Sequence, residues 1–174
     1  MAIGMLLLRT VLGLTMAAHG AQKLFGWFGG HRLEGTAGFL GSLGFRPARL
    51  HAVLVGVAEF GGGLLLALGL LTPLGAAAVI GVMVAAIAVV HWPKGFFNTN
   101  GGFEFNLAMI AGAAAVAFAG PGEYSFDGAL GWQLAGADWG LGSLAAGALA
   151  AGVVLAWRAR GRRHAGEGLT SSQA

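Results

Sequence analysis

The sequence predicts an all-α protein, a polytopic bundle of transmembrane helices. Its 174 residues are 56% hydrophobic and only 10% charged, with a mean hydropathy of +0.75, whereas soluble domains carry about 25% charged residues. Five segments are apolar over lengths close to the roughly 20 residues that a helix needs to cross the hydrocarbon core of a bilayer. Most of the protein surface is therefore expected to contact lipid.

The five predicted spans follow one another through mostly short connections. They occupy residues 3–22, 50–71, 74–92, 103–119 and 139–157. Pro73 is tolerated in the first turn of a helix but not in its interior, so the second and third spans are predicted to form a tight helical hairpin around Thr72. The connection at residues 23–49 is rich in glycine and aromatic residues, and we expect a short interfacial helix near residues 35–43.

Three parts of the chain are distinguished by this pattern. We expect residues 1–138 to form a core of four membrane helices with their loops, residues 139–157 an additional transmembrane helix, and residues 158–174 a basic, flexible cytoplasmic tail. Small residues recur at four-residue spacing in three spans, which allows helices to approach closely in a membrane. These repeats are Gly13, Ala17 and Ala21; Ala77, Gly81 and Ala85; and Ser143, Gly147 and Ala151.

The orientation follows from the Lys and Arg residues, which accumulate in cytoplasmic loops. They flank the connection at residues 23–49, occur at Lys94 and follow the last span, whereas the hairpin at Thr72 and residues 120–138 contain none. This alternation predicts an external N-terminus and a cytoplasmic C-terminus.

Several classes of function are disfavoured by composition. The formal net charge of +3 and the pI near 10.2 arise from basic residues between and after the spans, so they indicate membrane topology rather than nucleic-acid binding. The absence of cysteine excludes disulfides, thiolate metal sites and thiol redox relays. No histidines have the close spacing of a metal site, and the glycine-rich segments match no nucleotide-binding motif, so we expect neither a metal nor a nucleotide.

Two ionisable residues lie inside the predicted spans, where an unpaired charge is costly. Arg9 is in the first span and Glu59 is near the middle of the second. Counted from the predicted cytoplasmic ends, Glu59 is roughly 13 Å deep and Arg9 roughly 20 Å deep. An extended Arg side chain can span this difference, so we expect Arg9 and Glu59 to form an intramembrane ion pair. The pair has two interpretations of comparable weight: a structural link between two helices, or a group that binds a ligand or handles protons.

A second set of polar residues gathers at the predicted cytoplasmic ends of the spans and forms our candidate ligand-binding site. His19 and Lys23 are four residues apart and share a helix face. Each member also has an ordinary structural interpretation, such as a snorkelling Lys23, an interfacial His91 or a Glu104 that complements a helix dipole. The candidates are His19, Gln22, Lys23, His91, Glu104 and Asn106.

Five stretches of the chain resemble the DoxX family of membrane proteins. They are LLLRTVLGLTMAAHGAQKLFGWFGG at residues 6–30, GTAGFLGSLGF at 35–45, AEFGGGLLLALGLLTPLGA at 58–76, VHWPKGFFNTNGGFEFNLAMI at 90–110 and GPGEYSFD at 120–127. The resemblance implies a compact four-helix bundle. It places family motifs on the residues Arg9, His19, Gly20, Lys23, Ala58, Glu59, Gly102, Phe103 and Glu104. The chain departs from this pattern by its additional helix at residues 139–157.

The resemblance also implies a functional context, since relatives are linked to quinone-coupled thiosulfate oxidation and to membrane complexes that manage oxidative or thiol stress. Our leading hypothesis is a bacterial inner-membrane subunit of an oxidoreductase complex. It would hold a quinone or another small amphipathic molecule near the residues His19, Lys23, His91 and Glu104. In it His19 or Glu104 would exchange protons and Lys23 would polarise a carbonyl oxygen. The alternatives are a non-catalytic scaffold that recruits peripheral enzymes and a small-solute transporter. Protein partners and homo-oligomers are compatible with each hypothesis.

Overall fold

The computed structural model describes the backbone of residues 2–171 and the side chains of residues 2–162. This part of the chain is helical and contains no strand. Seven α-helices follow in order: α1 (Ala2–Leu24), α2 (Arg32–Ser42), α3 (Ala48–Leu68), α4 (Thr72–Ala86), α5 (Glu104–Ala119), α6 (Phe126–Ala129) and α7 (Ala137–Ser171). The predicted all-α membrane bundle is confirmed, and α2 occupies the position of the expected interfacial helix.

Four helical segments are long and apolar enough to cross a membrane. They are Ala2–Leu24, Ala48–Leu68, Thr72–Lys94 and Ala137–Arg162. The remaining predicted span, at residues 103–119, corresponds to α5, which has 16 residues and is therefore about 24 Å long. It nevertheless joins the two ends of the bundle, because Phe105 contacts His19 at one end and Pro121, just beyond the helix, contacts Arg9 at the other.

The bundle has two chemically different ends. The end that carries Lys23, Lys94 and Arg158 is called the basic end, and the opposite end, which carries Asp127 and Asp138, the acidic end. The helices α1, α4 and α7 run toward the basic end, and α3 and α5 run away from it. Helix α7 packs mainly on α4, with Ser143 Oγ donating a 3.0 Å hydrogen bond to the carbonyl of Pro73.

Close approach between α1 and α3 depends on glycine. Gly13 lies against Ala67, Ala17 against Gly63, and Gly20 against Phe60, and a Cβ at any of these three glycines would overlap the backbone of the other helix. Small residues allow such contact where lipid removes the hydrophobic drive for helix association. The glycines therefore fix the register of α1 against α3. Gly81 and Gly147 similarly bring α4 and α7 together.

The core lies among α1, α3, α4 and α5, and large apolar side chains cover the outside. On α1 the exposed residues recur every three or four positions, which makes a continuous lipid-facing stripe of Ile3, Leu7, Val11 and Leu14. The buried residues at the centre include Leu12, Met16, Leu66, Val79, Ile80 and Val116.

Two segments differ from the sequence prediction in extent. The third span ends not in regular α-helix but in a wider π-helical turn at Ile87–His91, followed by a 3-10 turn at Trp92–Lys94. Helix α7 continues beyond Trp157 through Ser171, and residues 172–174 of the predicted tail lie outside the described residues. The flexibility of that tail stays a prediction.

Candidate functional site

An ion pair between Lys23 and Glu59 is the centre of the candidate site at the basic end. Lys23 Nζ lies 2.5 Å from Glu59 Oε2, with the lysine side chain 28% exposed and the glutamate side chain 5% exposed. Lys23 lies in the last turn of α1 and Glu59 lies in the middle of α3. Helix register brings them together, because Gly20 fits against Phe60, the residue after Glu59.

The expected pair between Arg9 and Glu59 is wrong. The register that the glycines set places Glu59 beside Ala21, twelve residues further along α1 than Arg9. That separation is about 18 Å along the helix, beyond the reach of an arginine side chain. The sequence prediction placed the end of the first span and the start of the second at one cytoplasmic level, whereas the glycine contacts shift one helix along the other.

His19 lies one turn before Lys23 and within electrostatic range of Glu59. Its Nδ1 lies 2.9 Å from the carbonyl oxygen of Thr15, and its ring centroid is 5.7 Å from that of Phe105 on α5. A carbonyl only accepts hydrogen bonds, so Nδ1 carries the hydrogen and Nε2 is left to accept or exchange a proton. His19, Lys23 and Glu59 therefore form one group.

The other four candidates contact different partners. His91 Nδ1 donates to the carbonyl of Gly101 (2.7 Å), and Glu104 Oε2 accepts from the backbone N–H of Asn98 (2.9 Å), so both stabilise the loop between α4 and α5. Gln22 Nε2 donates to the carbonyl of Phe28 at 3.3 Å. Within the described residues, none of these three hydrogen-bonds to Lys23 or Glu59.

Asn106 is buried on α5, one residue beyond Phe105. Its Nδ2 lies 3.3 Å from the sulfur of Met83, and its Oδ1 has no hydrogen-bond partner in the described part of the chain. Because Phe105 contacts His19, Asn106 lies near the same level of the bundle as the Lys23–Glu59 pair. Of the four remaining candidates, Asn106 on α5 and Gln22, next to Lys23 on α1, lie close to this level.

Arg9 is a buried cation at the acidic end, at only 2% exposure. Its guanidinium donates to three backbone carbonyls, those of Ala67, Pro121 and Tyr124, with a distance of 3.0 Å to Pro121. The first carbonyl belongs to the end of α3 and the other two to the loop at residues 120–125. Arg9 thus ties this loop to α1 and α3.

Asp127 is a structural residue that sequence reasoning did not select. Its carboxylate accepts hydrogen bonds from the backbone N–H groups of Leu71 (2.7 Å) and Thr72 (3.0 Å) and from Thr72 Oγ1 (2.7 Å), and the residue is fully buried. The first N–H groups of a helix have no partner within the helix. Leu71, at the N-cap of α4, has no side-chain oxygen that could accept from these N–H groups. The lack of a local cap was therefore the sequence signal that a distant residue must supply the acceptor.

A cleft of about 450 Å³ also lies at the acidic end. It opens to the surface and is lined mainly by apolar atoms, with Arg9, Leu68, Tyr124 and Phe126 among the lining residues. Because Arg9 already donates hydrogen bonds to three carbonyls, it has little donor capacity left for a ligand in this cleft. No group of three or more His, Asp or Glu side chains suitable for a metal ion occurs among the described residues.

Comparison with models of known families gives one match. Residues 4–92 match the model of the DoxX family, which is about half of the chain and includes Arg9, His19, Lys23 and Glu59. No curated protein and no solved structure matches the chain.

Proposed function

The chain belongs to the DoxX family, and we propose that it is a membrane subunit of a redox assembly that binds a small amphipathic molecule at the basic end. A quinone is the proposed ligand class. The observation that carries the proposal is the Lys23–Glu59 pair, in which a buried carboxylate holds a partly exposed ammonium at the edge of the bundle.

Lys23 has donor capacity beyond its ion pair. An ammonium group has three N–H donors, and the contact with Glu59 uses one of them. The remaining donors suit a ligand carbonyl oxygen, and the contact with Glu59 holds the ammonium in position. Leaving such a cation near lipid without a further partner is costly, which favours a binding role over a purely structural one.

Aromatic rings provide the apolar side of the proposed site. Phe25 is 45% exposed, and its ring centroid lies 5.1 Å from that of Trp27 and 5.4 Å from that of Phe60. Phe60 follows Glu59 directly in α3. A ligand with a polar head and an apolar ring or tail could therefore place its head at Lys23 and its tail against these rings.

A quinone, when bound, supplies two-electron chemistry coupled to proton transfer. The chain provides the groups for the proton part of this chemistry: Lys23 Nζ would hold an oxygen atom, and His19 Nε2 would accept or return a proton. The chain lacks cysteine and therefore has no thiol redox relay of its own, and we propose that a partner protein supplies the electrons. This requirement is why we propose a subunit rather than a complete enzyme.

Quinone binding to the purified protein tests the proposal. We expect a short-chain quinone to bind the unmodified chain, with affinity reduced about tenfold or more in Lys23→Met and His19→Phe, since a hydrogen bond to a charged group is lost in the first. Lys94→Met and His91→Phe are matched controls at the same end of the bundle and should bind normally. Equal binding by all five proteins, or by none of them, would refute the proposal.

We also propose that the basic end faces the cytoplasm of a bacterial cell, because Lys and Arg accumulate on that side. The absence of cysteine makes the test direct. In intact cells, a membrane-impermeant thiol reagent should label Gln133→Cys at the acidic end and leave Thr99→Cys at the basic end unlabelled. The opposite labelling pattern would reverse the orientation.

A further inference from the structure

Three arginines converge on the turn between α2 and α3, at residues 43–47. Arg158 Nε donates a 2.8 Å hydrogen bond to the carbonyl of Leu43, and its Cζ lies 5.6 Å from the ring centroid of Phe45. The side chain of Arg162 runs along Gly44, and that of Arg46 runs along Gly161. The end of α7 and the α2–α3 turn thus share one basic surface, which we call the arginine surface.

Within residues 2–162, this surface has no carboxylate that balances its charge. Among residues 2–162, the one ion pair within 4.0 Å is Lys23–Glu59, so no described Asp or Glu neutralises Arg46, Arg158 or Arg162. Arg158 and Arg162 are four residues apart on α7 and close enough for their charges to repel. Arg49, exposed in the first turn of α3, adds a further positive charge nearby.

Beneath Arg158 lies an aromatic layer that includes Phe45. His51 is 3% exposed, and its ring lies between those of Phe45 and Trp157, with centroid distances of 5.1 and 4.8 Å. Its Nδ1 lies 2.9 Å from the carbonyl oxygen of Pro47, while its buried Nε2 has no partner among the described residues. The cations therefore rest on an apolar base at the end of the membrane span, beside the exposed edge of Trp157.

We propose that the arginine surface binds the phosphate group of an anionic phospholipid. Basic pockets between membrane helices recognise such headgroups, and each nearby Lys or Arg adds to the affinity. A guanidinium matches a phosphate with two parallel hydrogen bonds. The lipid phosphate supplies the missing negative charge, and its acyl chains extend along the apolar surface of α7, where Val153 is 65% exposed.

The site links two parts of the chain. Arg46 lies within the segment that matches the DoxX family, whereas Arg158 and Arg162 lie on the helix outside that match. A bound phosphate would join them and hold the end of α7 against the core. This inference is independent of quinone binding, which involves Lys23 and His19.

The matched test compares two double variants that remove the same charge. Arg158→Gln/Arg162→Gln removes two arginines of the surface. The control, Arg160→Gln/Lys94→Gln, also removes two cations. Arg160 lies about 200° around α7 from Arg158, and Lys94 lies in the α4–α5 loop. Binding of phosphatidylglycerol to each purified protein is measured by native mass spectrometry, with phosphatidylcholine as the zwitterionic probe.

We expect phosphatidylglycerol to bind the unmodified chain more tightly than phosphatidylcholine. Its affinity should fall about thirtyfold in Arg158→Gln/Arg162→Gln and much less in Arg160→Gln/Lys94→Gln. An equal loss in both variants would overturn the proposal, since it would show attraction to overall charge.

Two further measurements separate lipid binding from misfolding of the variant and from binding of free phosphate. Thermal unfolding without added lipid reports whether Arg158→Gln/Arg162→Gln folds. The single variant Arg162→Gln keeps the hydrogen bond between Arg158 and Leu43, and we expect it to weaken lipid binding severalfold. Inorganic phosphate at millimolar concentration should not raise the unfolding temperature as the lipid does. Equal protection by inorganic phosphate would overturn the assignment to a lipid.

Discussion

The two ends of α1 carry buried or half-buried cations that are satisfied in different ways. At the acidic end, Arg9 donates to three backbone carbonyls. At the basic end, Lys23 pairs with the carboxylate of Glu59 and remains 28% exposed. Arg9 uses its donors within the protein, whereas Lys23 retains N–H donors that can reach a ligand. The comparison indicates that a costly charge in a membrane helix is a functional candidate only when some of its bonding capacity remains available.

Arg9→Met should have the largest effect on stability. The change removes the Arg9 donor from three carbonyls, one in a buried and two in part-buried hydrogen bonds, and removes a positive charge that attracts Asp127. We therefore expect a loss of about 3–5 kcal/mol in the free energy of unfolding. Unfolding in detergent, followed by circular dichroism, measures it. Leu8→Ala, at a neighbouring lipid-facing position, is the control, and an equally small effect of both variants would refute the structural role of Arg9.

Gly63→Ala tests the close contact between α1 and α3. This contact fixes the register of the two helices and thereby determines which residues meet at the acidic end and at the basic end. A Cβ here would overlap the backbone of Ala17 and Gly13, so we expect a loss of about 1–3 kcal/mol from overpacking. Gly61→Ala, two residues earlier, has open space around its Cβ position and should cause no loss. Similar unfolding temperatures for the two variants would contradict the glycine-dependent register.

Asp127→Asn tests the acidic end without changing the shape of the side chain. An amide accepts fewer hydrogen bonds than the carboxylate that receives Leu71 N, Thr72 N and Thr72 Oγ1. We expect a loss of about 1–2 kcal/mol, as for other helix caps, measured by the same unfolding experiment. Asp138→Asn, at an exposed position in the first turn of α7, should lose less than half as much.

Lys23→Met/Glu59→Met should have the smallest effect on stability and sharpens the comparison most. Replacing both members of a buried ion pair by apolar residues is often neutral, whereas removing one member leaves an uncompensated charge. We expect the double variant to unfold within about 1 kcal/mol of the unmodified chain, and Lys23→Met alone to be less stable than either. Quinone binding should be lost in both variants. Retained binding in a folded double variant would assign the pair a structural role only.

The helices were predictable because their signals are local. Apolar length predicts the spans, and Pro73 in a first turn predicts the hairpin that the structure places between α3 and α4. The interfacial helix near residues 35–43 appears as Arg32–Ser42. Each of these features depends on residues within about 20 positions of one another.

The partners of the charged residues were harder to predict because they depend on the approach of distant helices. Depth counted from helix ends paired Arg9 with Glu59, whereas the contacts at Gly13, Gly20 and Gly63 determine the register. The partners of Arg9 are also backbone carbonyls. Because every residue has a carbonyl, the amino-acid sequence does not indicate which ones Arg9 contacts. His19 and Lys23 were grouped correctly because their spacing of four residues lies within one helix.

The hydrogen bonds of Arg9 and Asp127 have a consequence for biosynthesis. The hairpin at Leu71 and Thr72 and the guanidinium of Arg9 emerge from the ribosome long before residues 120–127, which supply their partners. Until then, a buried cation and two helix N–H groups must be satisfied by water or lipid headgroups near the membrane surface. The first three membrane helices therefore cannot settle into their final positions until α5 has crossed and its following loop has arrived, so translation order delays completion of the core.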